Sequence, residues 1–437
     1  MSELFPENPT RRQLARGFLV AAGSTVMAAC AGGRPAPAAA RDDDRTRWRA
    51  DVASRLNDLA PVATALPPLD RAIYEDRIER LRLAMRHESV AAMLLGPTVN
   101  LQYFMGFSWG ASERLFGVLI FQSGDFAWIA PKFEESRARE LIGSRGEVHT
   151  WEEWEDPHVL AARVVSKRAR GQLLAVDSHL RATHAVRIAK ALGEKYVTDG
   201  LPVTARVRSI KGAGELARIR RACEITKIAL EIVRDRFLVP GCEEAIAAEA
   251  MNIAQQRLGL TKTWCLALFA ENAAFPHGTK QRRPLRASDL ALLDTGGELD
   301  GYQSDITRTF SAGEPTPRQR EVYRCVRNAQ KAALAAAKPG ASCESVDAAA
   351  RAVVAMSGFG SSTEYFTHRL GHGIGMEGHE DPYFCPGNTT ILAPGMTLSN
   401  EPGIYLPGEL GVRIEDIVAI TREGAEIYGP PADDELR

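Results

Sequence analysis

The segment LLDTGGELDGYQSDITRTF, residues 292–310, places Asp294 and Asp305 inside apolar sequence on either side of a glycine-rich turn. Two apolar runs around a GELDG turn are typical of a β-hairpin. If the turn is centred between Leu299 and Asp300, the two aspartates lie opposite each other, where cross-strand Cβ atoms are about 4.5–5.5 Å apart. An unpaired acid is costly to bury in such strands. The pattern therefore predicts a pair of carboxylates that face one site.

The segment SNEPGIYLPGELGVRIED, residues 399–416, repeats this construction, because Glu401 and Glu415 are equidistant from Gly408 in the turn. His372, in HRLGHGIGMEGHE, adds a nitrogen ligand. Four carboxylates in one cavity repel each other and raise each other's pKa values unless cations neutralise them. Two divalent ions balance the charge, and hydrolytic two-metal sites hold their ions about 3.5–4 Å apart. The sequence thus predicts a dinuclear metallohydrolase.

These segments, in this order along the chain, resemble the pita-bread (M24) metallopeptidases, the group that contains aminopeptidase P, prolidase and methionine aminopeptidase. The resemblance extends from about residue 69 to the C-terminus, and it is strongest in GYQSDITRTF, GHGIGMEGHE, NEPGIY and GVRIED. It implies an α/β N-terminal creatinase-like domain followed by an α+β pita-bread catalytic domain.

The resemblance assigns a role to each ligand and adds four outer residues. Asp294 is expected to chelate one ion, and His372 with Glu401 the other. Asp305 and Glu415 are expected to bridge both ions. The outer residues that match the family are His277, His368, His379 and Arg413. Oxygen-rich ligation with one imidazole favours Mn²⁺, with Co²⁺, Fe²⁺ and Zn²⁺ as the alternatives.

The implied reaction is hydrolysis of a small peptide. Two metals lower the pKa of a bridging water, and the resulting hydroxide attacks the scissile carbonyl, whose oxygen one metal polarises. By analogy with the family, Glu401 moves the proton to the leaving nitrogen, while His277 and His379 stabilise the tetrahedral intermediate and hold the substrate. An N-terminal domain together with His277, His368 and Arg413 is more similar to aminopeptidase P and prolidase than to methionine aminopeptidase. The first expected substrate is therefore an Xaa-Pro bond.

Several alternatives stay open from the sequence. Dipeptidase and aminopeptidase activities differ by loops that the sequence does not define. Ectoine-hydrolase-like and sulfonium-lyase-like enzymes use the same scaffold, so a non-peptide hydrolase or lyase is the alternative function. Creatinase-like members dispense with metals and non-catalytic binding members usually lack several ligands, so the complete ligand set argues against both. Gly378 occupies a position where proline-specific members commonly have Ile or Val, which leaves the subfamily open.

The first 44 residues predict an export signal followed by a disordered tether. Thr10–Leu14 (TRRQL) is a twin-arginine signature, and the weakly apolar stretch after it, residues 17–29, is too short to span a bilayer. A basic n-region of an ordinary signal peptide is the alternative. Met27–Cys30 resembles a lipobox, so we expect either lipidation at Cys30 or cleavage after the Ala-rich stretch that ends at Ala40. The expected location is the periplasm.

Composition is that of an ordinary soluble enzyme. A chain of 437 residues exceeds what one core usually holds, and we predict domains over residues 66–209, from alternating helices and short apolar runs, and 210–437. The net charge of −1 gives no electrostatic case for a nucleic-acid partner. No segment beyond the signal predicts a membrane span, and the resemblance implies a homodimer. Six cysteines after Cys30 permit either disulfides or buried thiols.

Overall fold

The computed structural model describes residues 42–62, 66–361 and 363–437. The predicted export signal and the predicted lipidation site at Cys30 lie outside these residues. Within the described ranges, no helix has the length and apolarity needed to cross a membrane. Arg47–Arg437 form one compact unit, in which a mixed sheet precedes three antiparallel sheets.

Six strands form the mixed sheet of the N-terminal domain. They are β1 (Val90–Leu95), β2 (Gly117–Phe121), β3 (Ala127–Pro131), β4 (Glu147–Trp151), β5 (Leu173–Val176) and β6 (Val197–Asp199). Their order is β4-β3-β2-β1-β5-β6, with parallel pairs at β1–β5, β3–β4 and β5–β6. The helices that precede or flank them are α1 (Asp42–Ser54), α2 (Arg71–His87), α3 (Val99–Met105), α4 (Glu135–Ile142), α5 (Pro157–Arg168), α6 (Ala182–Leu192) and α7 (Leu201–Arg208). This alternation confirms the predicted α/β class.

The local sequence explains how the first of these elements form. β1 has the sequence VAAMLL and is buried along its whole length, as is typical of a strand covered on both faces. α2 begins after Asp70, whose side chain accepts a hydrogen bond from the Ile73 backbone N–H, and such a cap stabilises a helix start. Ile78, Leu81 and Met85 lie on the buried face of α2 and pack in the same core as β1.

Four long helices and three antiparallel sheets form the C-terminal domain. The helices are α8 (Ala213–Phe237), α9 (Glu244–Leu258), α10 (Pro317–Ala336) and α11 (Cys343–Met356). The strands are β7 (Thr261–Phe269), β8 (Leu290–Leu299), β9 (Tyr302–Gln303), β10 (Ile306–Ser311), β11 (Gly371–Gly373), β12 (Glu380–Phe384), β13 (Thr397–Asn400), β14 (Gly403–Leu406), β15 (Leu410–Arg413), β16 (Asp416–Ile420) and β17 (Ala425–Ile427). The sheets have the orders β10-β8-β7 with β9 beside β8, β12-β11-β13-β16-β17, and β14-β15.

Each helix pair covers one part of these sheets. α8 and α9 share an apolar core with β7 and β8, and α10 and α11 share another with β13, β15 and β16. The strands that carry the predicted ligands are therefore backed by helices. The predicted domain boundary, between residues 209 and 210, falls in the connection between α7 and α8, and it stays a prediction. All six cysteines in the described ranges are free thiols.

The predicted alignment of Asp294 with Asp305 is wrong by two residues. The turn consists of Asp300 and Gly301, whose φ angles are 51° and 88°, as a two-residue type I′ hairpin requires. The resulting register places Asp294 opposite Thr307, and Asp305 lies just before β10. Because side chains alternate between faces with a period of two, a shift of two residues leaves both aspartates on the same side of the hairpin.

The second hairpin has the predicted register. Gly403 pairs with Arg413, which centres the pairing on Gly408, a turn residue with a φ of 75°. Continued outward, the same register places Glu401 opposite Glu415, between the β14–β15 ladder and the β13–β16 ladder. Both glutamates therefore stand at the junction of two sheets.

Candidate metal centre

One cavity of about 700 Å³ brings the predicted site residues together. All nine of them line it: His277, Asp294, Asp305, His368, His372, His379, Glu401, Arg413 and Glu415. The remaining lining residues are Trp264, Leu266, Pro276, Arg369 and Gly378. A larger cavity of about 940 Å³, against α2, contains none of the predicted residues. The predicted site residues therefore meet in the smaller cavity.

The candidate ligand atoms are close enough to share ions. Among the described residues there are three groups in which all ligand atoms lie within 4.8 Å of one another. They are Asp294 with Asp305 and Glu415, His372 with Glu401 and Glu415, and Asp305 with His372 and His379. Glu415 and Asp305 each belong to two groups, one containing Asp294 and one containing His372. A carboxylate that bridges two ions must belong to two such groups of ligand atoms, one around each ion.

Burial leaves these carboxylates without enough partners. Asp305 and Glu415 are 6% and 2% exposed, and within the described part of the chain Oδ1 of Asp294 and Oδ1 of Asp305 have no hydrogen-bond partner. Burial, followed by repulsion from neighbouring carboxylates, raises the pKa values of Asp305 and Glu415 well above their ordinary range. Burial also raises the pKa of Glu401 to about 7. Buried acids with unpaired oxygens fit divalent cations, which supply the missing charge and the missing partners.

His372 is a candidate neutral nitrogen ligand. Its Nδ1–H donates to the Gly373 carbonyl oxygen at 3.1 Å, which leaves the lone pair on Nε2. Nε2 lies 3.3 Å from Oε1 of Glu401 and 3.8 Å from Oδ2 of Asp305. Burial, followed by the neighbouring His379, lowers the pKa of His372 to about 3. Near neutral pH, Nε2 is therefore free to bind a cation.

A chain of hydrogen bonds links Asp294 to His368. Arg413 donates from Nη2 to Oδ2 of Asp294 at 2.6 Å and from Nη1 to the Tyr405 hydroxyl at 2.9 Å. His368 donates from Nδ1 to the Arg369 carbonyl oxygen at 2.7 Å, so its Nε2 accepts from Tyr405, also at 2.7 Å. Arg413 thus occupies one oxygen of Asp294 and leaves the other for an ion.

His277 and His379 are the exposed members of the site. Both side chains are solvent-accessible and line the cavity. The ring of His379 stacks on that of His372, with centroids 3.7 Å apart and planes 17° apart. His277 follows the short 3-10 helix Ala270–Ala274. Their exposure makes both imidazoles accessible to a bound substrate.

Three hydroxyl side chains in contact with the site were not predicted from the sequence. Thr307 donates to Oε2 of Glu415 at 2.6 Å, and Ser399 donates to Oε1 of Glu401 at 3.0 Å. Each of these two lies two positions from a predicted ligand, so strand alternation is the signal that indicates them. The third is Tyr405, the last residue of the NEPGIY motif.

Comparison with known proteins agrees with this geometry. The model of Metallopeptidase family M24 matches residues 217–422, which include every predicted site residue, and the model of the Creatinase/Prolidase N-terminal domain matches residues 77–210. The chain is similar to the probable dipeptidase PepE of Mycobacterium tuberculosis (strain ATCC 25618 / H37Rv), with 36% identity over 366 residues that cover 82% of this chain and 94% of that protein.

Solved structures give the same result. Dipeptidase PepE from Mycobacterium ulcerans is similar with a TM-score of 0.79 and 34% identity, over 85% of this chain and 99% of that one. A recombinant prolidase from Thermococcus sibiricus is similar with a TM-score of 0.75 and 31% identity, over 85% of this chain and 100% of that one. The predicted creatinase-like domain and pita-bread domain are thereby confirmed. Since both domains match in the predicted order and the alignment spans nearly the whole of a related dipeptidase, the chain belongs to metallopeptidase family M24.

Proposed function

We propose that this M24 peptidase is a dinuclear-metal exopeptidase for short peptides and that Xaa-Pro bonds are its substrate class. The observation that carries the proposal is the membership of Asp305 and Glu415 in two donor groups, since a pair of ions needs carboxylates that reach both. The similarity to proteins named dipeptidase and prolidase supports the substrate class. The length of the preferred peptide separates a dipeptidase from an aminopeptidase P.

Four carboxylates and one imidazole would hold the two ions. Asp294 would bind one, His372 and Glu401 the other, and Asp305 and Glu415 both. This oxygen-rich set favours Mn²⁺ over Zn²⁺, with Co²⁺ and Fe²⁺ as further candidates. When bound, the ions polarise a carbonyl and lower the pKa of a water.

Glu401 would move the proton from the attacking water to the leaving nitrogen. Ser399 holds its Oε1 at 3.0 Å, and its Oε2 lies 4.0 Å from Nδ1 of His368. A carboxylate held through one oxygen, with the other bordering the cavity, is placed to pass a proton. His379 and His277, exposed to the same cavity, would donate hydrogen bonds to the oxyanion and to the peptide.

We also propose export through the twin-arginine signature at Arg11 and Arg12, a periplasmic location and a homodimer, with either a lipid anchor at Cys30 or cleavage after Ala40. The sequence pattern of residues 10–40 supports the export, the location and the two processing alternatives, and the family resemblance supports the homodimer. Cell fractionation of the full chain beside a Cys30→Ser variant tests the location and the anchor, because loss of lipidation releases the protein from membranes.

The substrate proposal is tested with the purified protein on Ala-Pro, Ala-Pro-Ala and Ala-Ala-Ala, with Mn²⁺ and after chelation. We expect metal-dependent cleavage at the Xaa-Pro bond and none in Ala-Ala-Ala. A protein that holds two metals and cleaves none of the peptides would contradict the proposal. That result would direct the search to non-peptide substrates of a hydrolase or lyase on this scaffold.

A further inference from the structure

The segment 376–380, which carries His379 to the cavity, is held by side chains of the N-terminal domain. Oε1 of Glu377 lies 3.0 Å from Nε2 of His179, and Oε2 of Glu377 lies 2.7 Å from Nη2 of Arg208. His179 follows β5, and Arg208 ends α7. The position of His379 therefore depends on contacts with residues far away in the sequence.

His179 is itself firmly held. Its backbone N–H donates to Oδ1 of Asp177 at 3.0 Å. Asp177 is 2% exposed and accepts further hydrogen bonds from Thr98 and Asn100. Hydrogen bonds to Asp177 and Glu377 raise the pKa of His179 to about 9. The ring thus lies between two carboxylates, with Nδ1 3.5 Å from Oδ1 of Asp177 and Nε2 3.0 Å from Oε1 of Glu377.

Glu380 anchors the other end of the segment. Arg208 and Lys211, both 5% exposed, form ion pairs with it. Between the anchors at Glu377 and Glu380, a Cβ placed on Gly378 would meet no atom of the described residues within 4 Å. The two glutamates, together with the stacking of His379 on His372, therefore constrain the two residues between them.

His179 does not reach the reaction cavity. It lines a separate cavity of about 250 Å³, and His379 is the residue that both cavities share among those that the structure describes. We propose that His179 is a positioning residue for the peptidase reaction: it fixes Glu377 and thereby keeps His379 stacked on His372. The expected effect on kcat rests on the proposed function, whereas the expected effect on the position of the segment 376–380 does not.

Kinetics of His179→Ala test the first consequence. A displacement of about 1 Å in a positioned group can cost on the order of 100-fold in rate, so we expect kcat to fall about tenfold with KM within about twofold. In a His379→Ala background, His179→Ala should cause no further loss, because the residue acts through His379. The matched control is Arg206→Ala on α7, which removes an ion pair to Glu88 and should leave kcat unchanged.

Hydrogen–deuterium exchange of the metal-free protein tests the second consequence. We expect the backbone of segment 376–380 to exchange faster in His179→Ala and in Glu377→Gln, and at the wild-type rate in Arg206→Ala. Unchanged exchange of the segment 376–380 in His179→Ala would overturn the proposal. It would also be overturned if His179→Ala lowered kcat by the same factor in the wild-type protein and in the His379→Ala background. If the wild-type protein cleaves no peptide, the proposed function is wrong. The exchange experiment does not depend on activity, so it still tests whether His179 fixes the segment that carries His379.

Discussion

Arg413 and Asp294 form an ion pair of 2.6 Å between the two ligand-bearing hairpins. Both side chains are mostly buried, with 4% and 16% of their surfaces exposed. The pair holds Oδ2 of Asp294, while Oδ1 has no hydrogen-bond partner among the described residues. An arginine outside the candidate ligand set thus orients a candidate ligand, as groups behind metal ligands commonly do.

Arg413→Lys should weaken metal binding without removing a ligand. Arginine contacts Asp294, Tyr405 and Thr307 together, whereas a lysine amine cannot reproduce the planar fork. We expect Mn²⁺ affinity to fall roughly 10–100-fold, the usual effect of losing such a partner. Competition with a calibrated chelator measures the affinity. Arg220→Lys, in an exposed pair with Glu426, is the control and should bind Mn²⁺ normally.

Asp305→Asn should prevent the binding of two ions in the proposed dinuclear site. The substitution keeps the shape of the side chain but removes the charge that both donor groups use, so we expect fewer than two ions per chain and a kcat reduced by at least about 100-fold. Elemental analysis after dialysis measures the ions. Asp300→Asn in the nearby turn is the control, because Asn tolerates the positive φ of that position. Two tightly bound ions in Asp305→Asn would rule out the bridging role.

The metal-free protein should lose stability as the pH rises through the titration of Glu401. Burial raises the folded-state pKa of Glu401 from 4.5 to about 7. The contribution of this carboxyl to the free energy of unfolding is therefore fully present below pH 4.5 and is lost as the pH rises through 7. Glu401→Gln mimics the protonated acid. Without metal, the Tm of the variant should equal that of the wild-type protein below pH 4.5 and should exceed it above about pH 7. A Tm difference that does not change with pH would contradict the assignment.

Gly378→Val should narrow the cavity without unfolding the chain. The position lines the cavity and leaves open space around a Cβ, and its φ is not positive. We expect kcat/KM for a peptide with a bulky first residue, such as Phe-Pro, to fall about tenfold relative to Ala-Pro. Gly424→Val, another glycine with open space around a Cβ, serves as the control. Equal effects on both peptides would show that Gly378 does not border the bound side chain.

The sequence predicted the fold class and the residues that meet in the cavity. The four carboxylates follow from their turns and from charges that are costly to bury, whereas the pita-bread fold and the four outer residues follow from the family resemblance. The register of the first hairpin was wrong, since the GELDG segment allows several turns and only the backbone of Asp300 and Gly301 selects one. The contact between His179 and Glu377 was beyond prediction, because it depends on how two segments far apart in the sequence pack within one compact unit.

A titration of the metal-free protein with Mn²⁺, followed by the rate of Ala-Pro hydrolysis, tests the dinuclear peptidase most directly. With Asp305 and Glu415 shared between two ions, the rate should rise until about two equivalents per chain are bound and then stay constant. Saturation at one equivalent would contradict the dinuclear site. Binding of two equivalents with no hydrolysis at any ratio would contradict the Xaa-Pro peptidase.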